Sequence, residues 1–182
     1  KYIQSNTKEA FSDVLKSSCK AVVFGTPCQI AGIDLLLKAK SKRENFLLVD
    51  LICHGVPSQK LWNKYLKEGS QLYGYGQSPD VLFRDKSKSW REKYINIEGR
   101  GKNYEEKDKI DLFYRFFHLR NCFMDACYEC NFRTSSSADI RIGDYWGPRY
   151  KQDREGVSMV IAMTEAGQTL LEYLKAENKI EL

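Results

Sequence analysis

Residues 21–39, AVVFGTPCQIAGIDLLLKA, read as strand, tight turn and helix in succession. Ala21, Val22, Val23 and Phe24 form a short apolar run, Gly25-Thr26-Pro27 stops it, and residues 28–39 resume apolar spacing of helical period. Upstream, residues 8–18 place Phe11, Val14 and Leu15 at helical offsets and predict a short amphipathic helix. Downstream, FLLVDLIC from Phe46 to Cys53 is continuously apolar, as a strand covered on both faces should be, and it too ends in a turn, His54-Gly55-Val56-Pro57. Two strands joined by a helical crossover make a parallel βαβ unit.

The remainder departs from that alternation. Ser58 is a candidate N-cap for a helix over 60–68, and the Gly, Tyr, Ser and Pro of 69–79 predict a loop. Residues 80–84 and 94–98 read as antiparallel strands, and 111–119 as an aromatic-rich helix. Residues 120–137 hold three cysteines and a serine run without periodicity. A strand at 138–143, a turn at Asp144–Pro148, a strand at 157–163 and a helix at 165–177 complete the chain. The expected class is α/β: a mixed sheet with a parallel βαβ start and antiparallel additions, helices on both faces, and one Cys-rich loop. A length of 182 residues fits a single domain, 1–182.

Composition narrows the function classes. With 42% hydrophobic and 29% charged residues, and no run near the roughly 18 apolar residues of a membrane span, no transmembrane segment is expected. The net charge of +5 is scattered, without the basic block of a nucleic-acid tail, so no nucleic-acid partner is expected and the location expected is cytoplasmic. The start at Lys1, with no leader pattern, suggests a piece of a longer chain whose upstream part is absent. Six cysteines are too sparse for a disulfide scaffold and point to thiols or metal ligands.

Their positions carry the chemistry. Cys28 and Cys53 each lie just beyond an apolar strand, and parallel neighbours bring their carboxyl ends to one sheet edge, so both thiols face one crevice. Cys127-Tyr128-Glu129-Cys130 is a Cys-x-x-Cys chelate pair, able to supply two thiolates from one short loop. Four sulfurs can thus converge. Three readings stand: cluster ligation, which tolerates two single ligands on separate turns; structural zinc, which generally uses two close pairs; and a redox dithiol, which would normally open a helix after a strand. Taken singly, Cys28 or Cys53 is as well read as a small buried hydrophobe.

The words VVFGTPCQIAGI, LLVDLICHGVPS, FRDK followed by Trp90, CYEC, ADIRIGDYWG and GVSMVIAMTEAG occur in this order. In them the chain resembles the C-terminal domain of the beta subunit of the coenzyme F420 hydrogenase/dehydrogenase family, over nearly its whole length. The resemblance implies FAD and a 4Fe-4S cluster, with electrons passing between cluster, flavin and a deazaflavin-like or other acceptor, and a ferredoxin-like electron partner or domain. It places the cluster ligands at Cys28, Cys53, Cys127 and Cys130. Two departures stand out: the family often has Arg-Pro-Ser-Cys before the pair, where this chain has Arg120-Asn121-Cys122 and makes Cys122 a competing ligand, and the usual Gly before Trp90 is Ser89. Because the segment upstream of YIQS is absent, part of the flavin site is expected to lie outside the chain.

Beside the cysteines, Gly25 and Thr26 in the first turn and Gly55 in the second are expected to let backbone approach a cofactor. His54 adjoins Cys53 and is a candidate donor to a cluster sulfide or a flavin oxygen, Arg84 and Lys86 are a candidate cationic fork for a phosphate, and Asp144 precedes the aromatic pair Tyr145-Trp146. Each has a plainer reading as turn punctuation, a structural histidine, surface charge or core packing. No Ser/His/Asp set and no G-x-G-x-x-G loop occurs, which argues against hydrolysis. The reading is an iron–sulfur electron-transfer domain of a flavin-dependent oxidoreductase; the alternative is a zinc- or cluster-stabilised scaffold without catalysis.

Overall fold

The structure is a computed structural model that describes residues 6–88 and 90–181. Ser89 and the YIQS start lie outside the described residues. In chain order the elements are α1 (Thr7–Lys16), β1 (Ala21–Gly25), α2 (Pro27–Ala39), β2 (Phe46–Leu51), α3 (Gln59–Tyr73), β3 (Asp80–Asp85), β4 (Tyr94–Gly99), β5 (Lys102–Lys107), α4 (Leu112–His118), α5 (Asp125–Tyr128), β6 (Ile140–Asp144), β7 (Ser158–Ala162) and α6 (Glu165–Ala176). Among the described residues no helix is long and apolar enough to cross a membrane.

The chain is arranged as two units, each gathered from separate stretches. One comprises Gly55–Cys130 and Tyr150–Gly156; the other comprises Asn131–Arg149 with the described residues of Ser5–His54 and Val157–Leu182. The second unit holds the four-stranded mixed sheet in the order β1-β2-β6-β7, with β1, β2 and β6 parallel and β7 antiparallel to β6. Helix α2 starts where it does because Pro27 fills its first position, with no amide to satisfy, while the Gln29 side chain accepts from Thr26 N at 2.9 Å. Its Ile30, Ile33 and Leu37, spaced for one helical face, bury against Phe46, Leu48 and Ala138, with Phe11, Val14 and Leu15 of α1 packed alongside. Each such aliphatic side chain contributes about 1.5–3 kcal/mol through burial.

Asp34 shares that buried face and is held by Lys38 Nζ and Arg43 Nε, both at 2.7 Å. Across the sheet α6 approaches β6 so closely that a Cβ on Gly167 would stand 2.1 Å from the Asp139 carbonyl oxygen and 3.1 Å from Ile140 Cγ1. Only glycine fits there.

The first unit is built on the antiparallel sheet β3-β4-β5. Its core is Tyr75, Ile95, Ile97 and Tyr114, surrounded by Trp62, Tyr65, Leu66, Val81, Phe83 and Tyr104. Two expectations are corrected here. Helix α3 does not stop at 68 but runs to Tyr73, where Gly74 at φ +77 caps it. Gly69 acts as a packing residue, not a breaker: the Tyr75 hydroxyl would lie 1.9 Å from a Cβ at that position. The strand β5 was not expected, because KNYEEK carries no apolar run; it is made by the two-residue turn at Arg100 and Gly101, both at positive φ, which folds it back onto β4. The loop at 120–137 contains the single turn α5 and a 3₁₀ turn at Asn131–Arg133.

Candidate functional site

The sheet register sets the first pair of thiols. Gly25 of β1 is in register with Asp50 of β2, and Asp50 with Arg141 of β6. Cys28 follows Gly25 by three residues and Cys53 follows Asp50 by three, so the two chains leave parallel neighbours at the same height and the same edge. Cys28 is exposed in the first turn of α2, with its Sγ 3.3 Å from Thr26 Oγ1. Cys53 is half-buried beyond the end of β2, where Ile52 N still donates to Ile142 O at 2.9 Å.

Gly25 faces Gln29 and Ile30 at 3.3 Å from where a Cβ would sit, so its small size serves the turn. His54 is exposed, and Asp144 is half-buried as the last residue of β6, paired with Ser158.

Beneath this edge lies a pair that no sequence motif announced. Arg141 Nε and Nη2 each donate to an Asp50 carboxylate oxygen at 2.7 Å; Asp50 is fully buried and Arg141 nearly so. Asp50 lifts the guanidinium above its ordinary value, with a smaller contribution from Cys53. The signal was present in the sequence: one acid inside FLLVDLIC and one base inside ADIRIG are opposite charges in two buried strands, and buried charges have partners.

The second pair lies in the other unit. Cys127 is in the one-turn helix α5 and Cys130 follows it, both half-buried, with Cys127 N donating to Met124 O at 2.8 Å. Tyr128 between them turns its hydroxyl to accept from Phe123 N at 3.1 Å. Phe123 is buried between the Phe117 and Tyr128 rings, at 5.5 and 5.9 Å. Gly55, at φ +139, is covered by that ring. Cys122, the expected competitor, is 5% exposed, and burial pushes its thiol up, which disfavours the thiolate that a metal requires. No disulfide joins any of the six cysteines. Among the described residues no three His, Cys, Asp or Glu side chains form a metal group; Cys28 and Cys53 belong to one unit, and Cys127 and Cys130 to the other.

Arg84 sits at a bulge in β3 with φ +53, its amide donating to the Tyr114 hydroxyl at 3.0 Å. Lys86 Nζ stands 6.0 Å from the Trp90 ring centroid, and Arg91 flanks the same ring at 5.7 Å. The ring is buried against Gly156, where a Cβ would be 2.2 Å from its Nε1. Asp85 between the two cations is held below its ordinary value by hydrogen bonds from Ser87, so it stays charged and offsets one of them.

The family described as the C terminus of the coenzyme F420 hydrogenase/dehydrogenase beta subunit matches residues 19–182. No curated protein matched the chain.

Proposed function

The chain belongs to the family formed by the C terminus of the coenzyme F420 hydrogenase/dehydrogenase beta subunit, and we propose that it relays electrons between a 4Fe-4S cluster held by Cys28, Cys53, Cys127 and Cys130, an FAD, and a deazaflavin-like or other acceptor. The family is one of oxidoreductase-type subunits, so a redox role is common ground. The observation that supports the finer reading is the register Gly25–Asp50, which puts two otherwise unrelated cysteines at one sheet edge. When bound, the cluster supplies one-electron transfer and the flavin hydride exchange.

The chain's own residues bind and orient. Cys28 is offered from the first turn of a helix, where the helix dipole favours negative charge, and Thr26 Oγ1 is within reach of its sulfur. Gly25, Gly55 and His54 border the thiol turns, Asp144 closes β6, and Arg84 and Lys86 are the cationic contacts for a cofactor phosphate. A ferredoxin-like partner or domain is the natural electron source.

The test is anaerobic purification with analysis of iron, acid-labile sulfide, zinc and bound flavin. Iron and sulfide at cluster stoichiometry support the reading. Full zinc occupancy without sulfide after anaerobic reconstitution transfers the case to a non-catalytic scaffold.

A further inference from the structure

The Asp50–Arg141 pair does more than neutralise itself. Besides its bidentate bond to Asp50, Arg141 donates from Nη1 to Arg133 O at 3.2 Å, and from Nη2 to Phe132 O at 3.1 Å and Ser135 O at 3.3 Å. Ser136 Oγ donates to Asp50 Oδ2 at 2.8 Å and accepts from Ala138 N at 3.0 Å. One guanidinium and one carboxylate therefore hold the irregular chain of residues 132–138, which carries no ladder of its own. That segment begins two residues after Cys130, and the strand bearing Asp50 ends at the turn carrying Cys53. Gly143, where a Cβ would sit 2.8 Å from Ile52 Cδ1, keeps this exit close to β6.

We propose that Arg141, gripped by Asp50, is a positioning residue for the cysteine ligands: it anchors the chain leaving Cys130 on the strand pair that delivers Cys53. The proposal rests on the four-cysteine reading. Lysine at 141 keeps the charge but lacks the planar fork that binds Asp50 with two bonds and three carbonyls besides, so it is the informative variant. Removing the charge altogether would leave Asp50 buried without a partner and endanger the fold.

The experiment compares the wild-type full chain with Arg141→Lys and, as a control, Arg43→Lys, which alters another ion network of the same unit, the one through Asp34 and Asp139. Two readouts are taken: backbone hydrogen exchange of the cluster-free reduced proteins, and, after anaerobic iron and sulfide loading, the electron paramagnetic resonance signal of the cluster reduced by one electron with dithionite. In Arg141→Lys, exchange over residues 131–138 should be on the order of tenfold faster, with the α2 and β4 peptides unchanged, and the signal should be diminished or altered in line shape. Arg43→Lys should leave both as in wild type. Unchanged local exchange and an unchanged signal in Arg141→Lys overturn the positioning role alone, as does an equal effect of Arg43→Lys on the signal. Wild-type protein that takes up no iron and sulfide overturns the cysteine reading itself, and the positioning role falls with it.

Discussion

Replacing Gly55 by Ala should be among the most damaging single-methyl additions in this chain. The added Cβ would lie 2.5, 2.7 and 2.9 Å from Cε2, Cδ2 and Cζ of Phe123. Ordinary carbon contacts are about 3.5–4.0 Å, so the ring would have to retreat by about 1 Å. It has little freedom to do so: Phe123 is 4% exposed, packed edge-on with the Phe117 ring and tilted against the Tyr128 ring, and bridged through its backbone to Pro57. Overpacking of this kind costs about 1–3 kcal/mol. The φ of +139 adds a backbone cost of about 1–3 kcal/mol for a residue with a side chain. The expected loss is thus about 2–6 kcal/mol. Gly101 supplies the comparison, since its φ is +69 but nothing lies within 4 Å of its Cβ position; Gly101→Ala bears the backbone cost alone, about 1–2 kcal/mol. Urea unfolding of both variants against wild type, at constant m, measures the difference. Equal losses, or a Gly55→Ala midpoint indistinguishable from wild type, would refute the argument that the Phe123 ring is fixed over this turn.

Gly69→Ala should destabilise by about 1–3 kcal/mol despite the better helix propensity of alanine, because the Tyr75 hydroxyl stands 1.9 Å from the new Cβ; thermal unfolding should show part of the loss recovered in Gly69→Ala with Tyr75→Phe. Asp139→Asn should cost about 2–3 kcal/mol, since that carboxylate accepts from Arg43, Leu48 N and Thr164, with Arg43 keeping some access to water; equilibrium unfolding checks it. Burial raises the Cys122 thiol, so its thiolate fraction is low at neutral pH and grows as pH rises toward the lifted value. Iodoacetamide labelling followed by mass spectrometry should therefore modify exposed Cys19 first and Cys122 last at pH 7, with the gap narrowing at pH 9.

What could be read from the sequence was whatever a contiguous pattern expresses. The run AVVFGTPCQIAGIDLLLKA became β1, the turn and α2 within a residue of its expected limits, because apolar period and Pro27 act locally. Gly69 misled because its role depends on Tyr75, a partner outside the helix, and β5 escaped because its pairing is decided by the Arg100-Gly101 turn and by Tyr104 packing into the core, with no apolar run to mark it. The thiols at Cys28 and Cys53 could be placed at one edge by topology alone. Asp50 and Arg141 were not recognised, since each looks like an isolated charge until the register sets them side by side.

The four-cysteine cluster is tested by iron and acid-labile sulfide content, with zinc assayed alongside, across a panel of single cysteine-to-alanine variants purified without oxygen. About four iron and four sulfide per chain are expected in wild type, retained in Cys19→Ala and Cys122→Ala and lost or sharply reduced in Cys28→Ala, Cys53→Ala, Cys127→Ala and Cys130→Ala. Stoichiometric zinc without sulfide, or a cluster that survives removal of any of those four thiols and disappears with Cys122, would contradict this assignment.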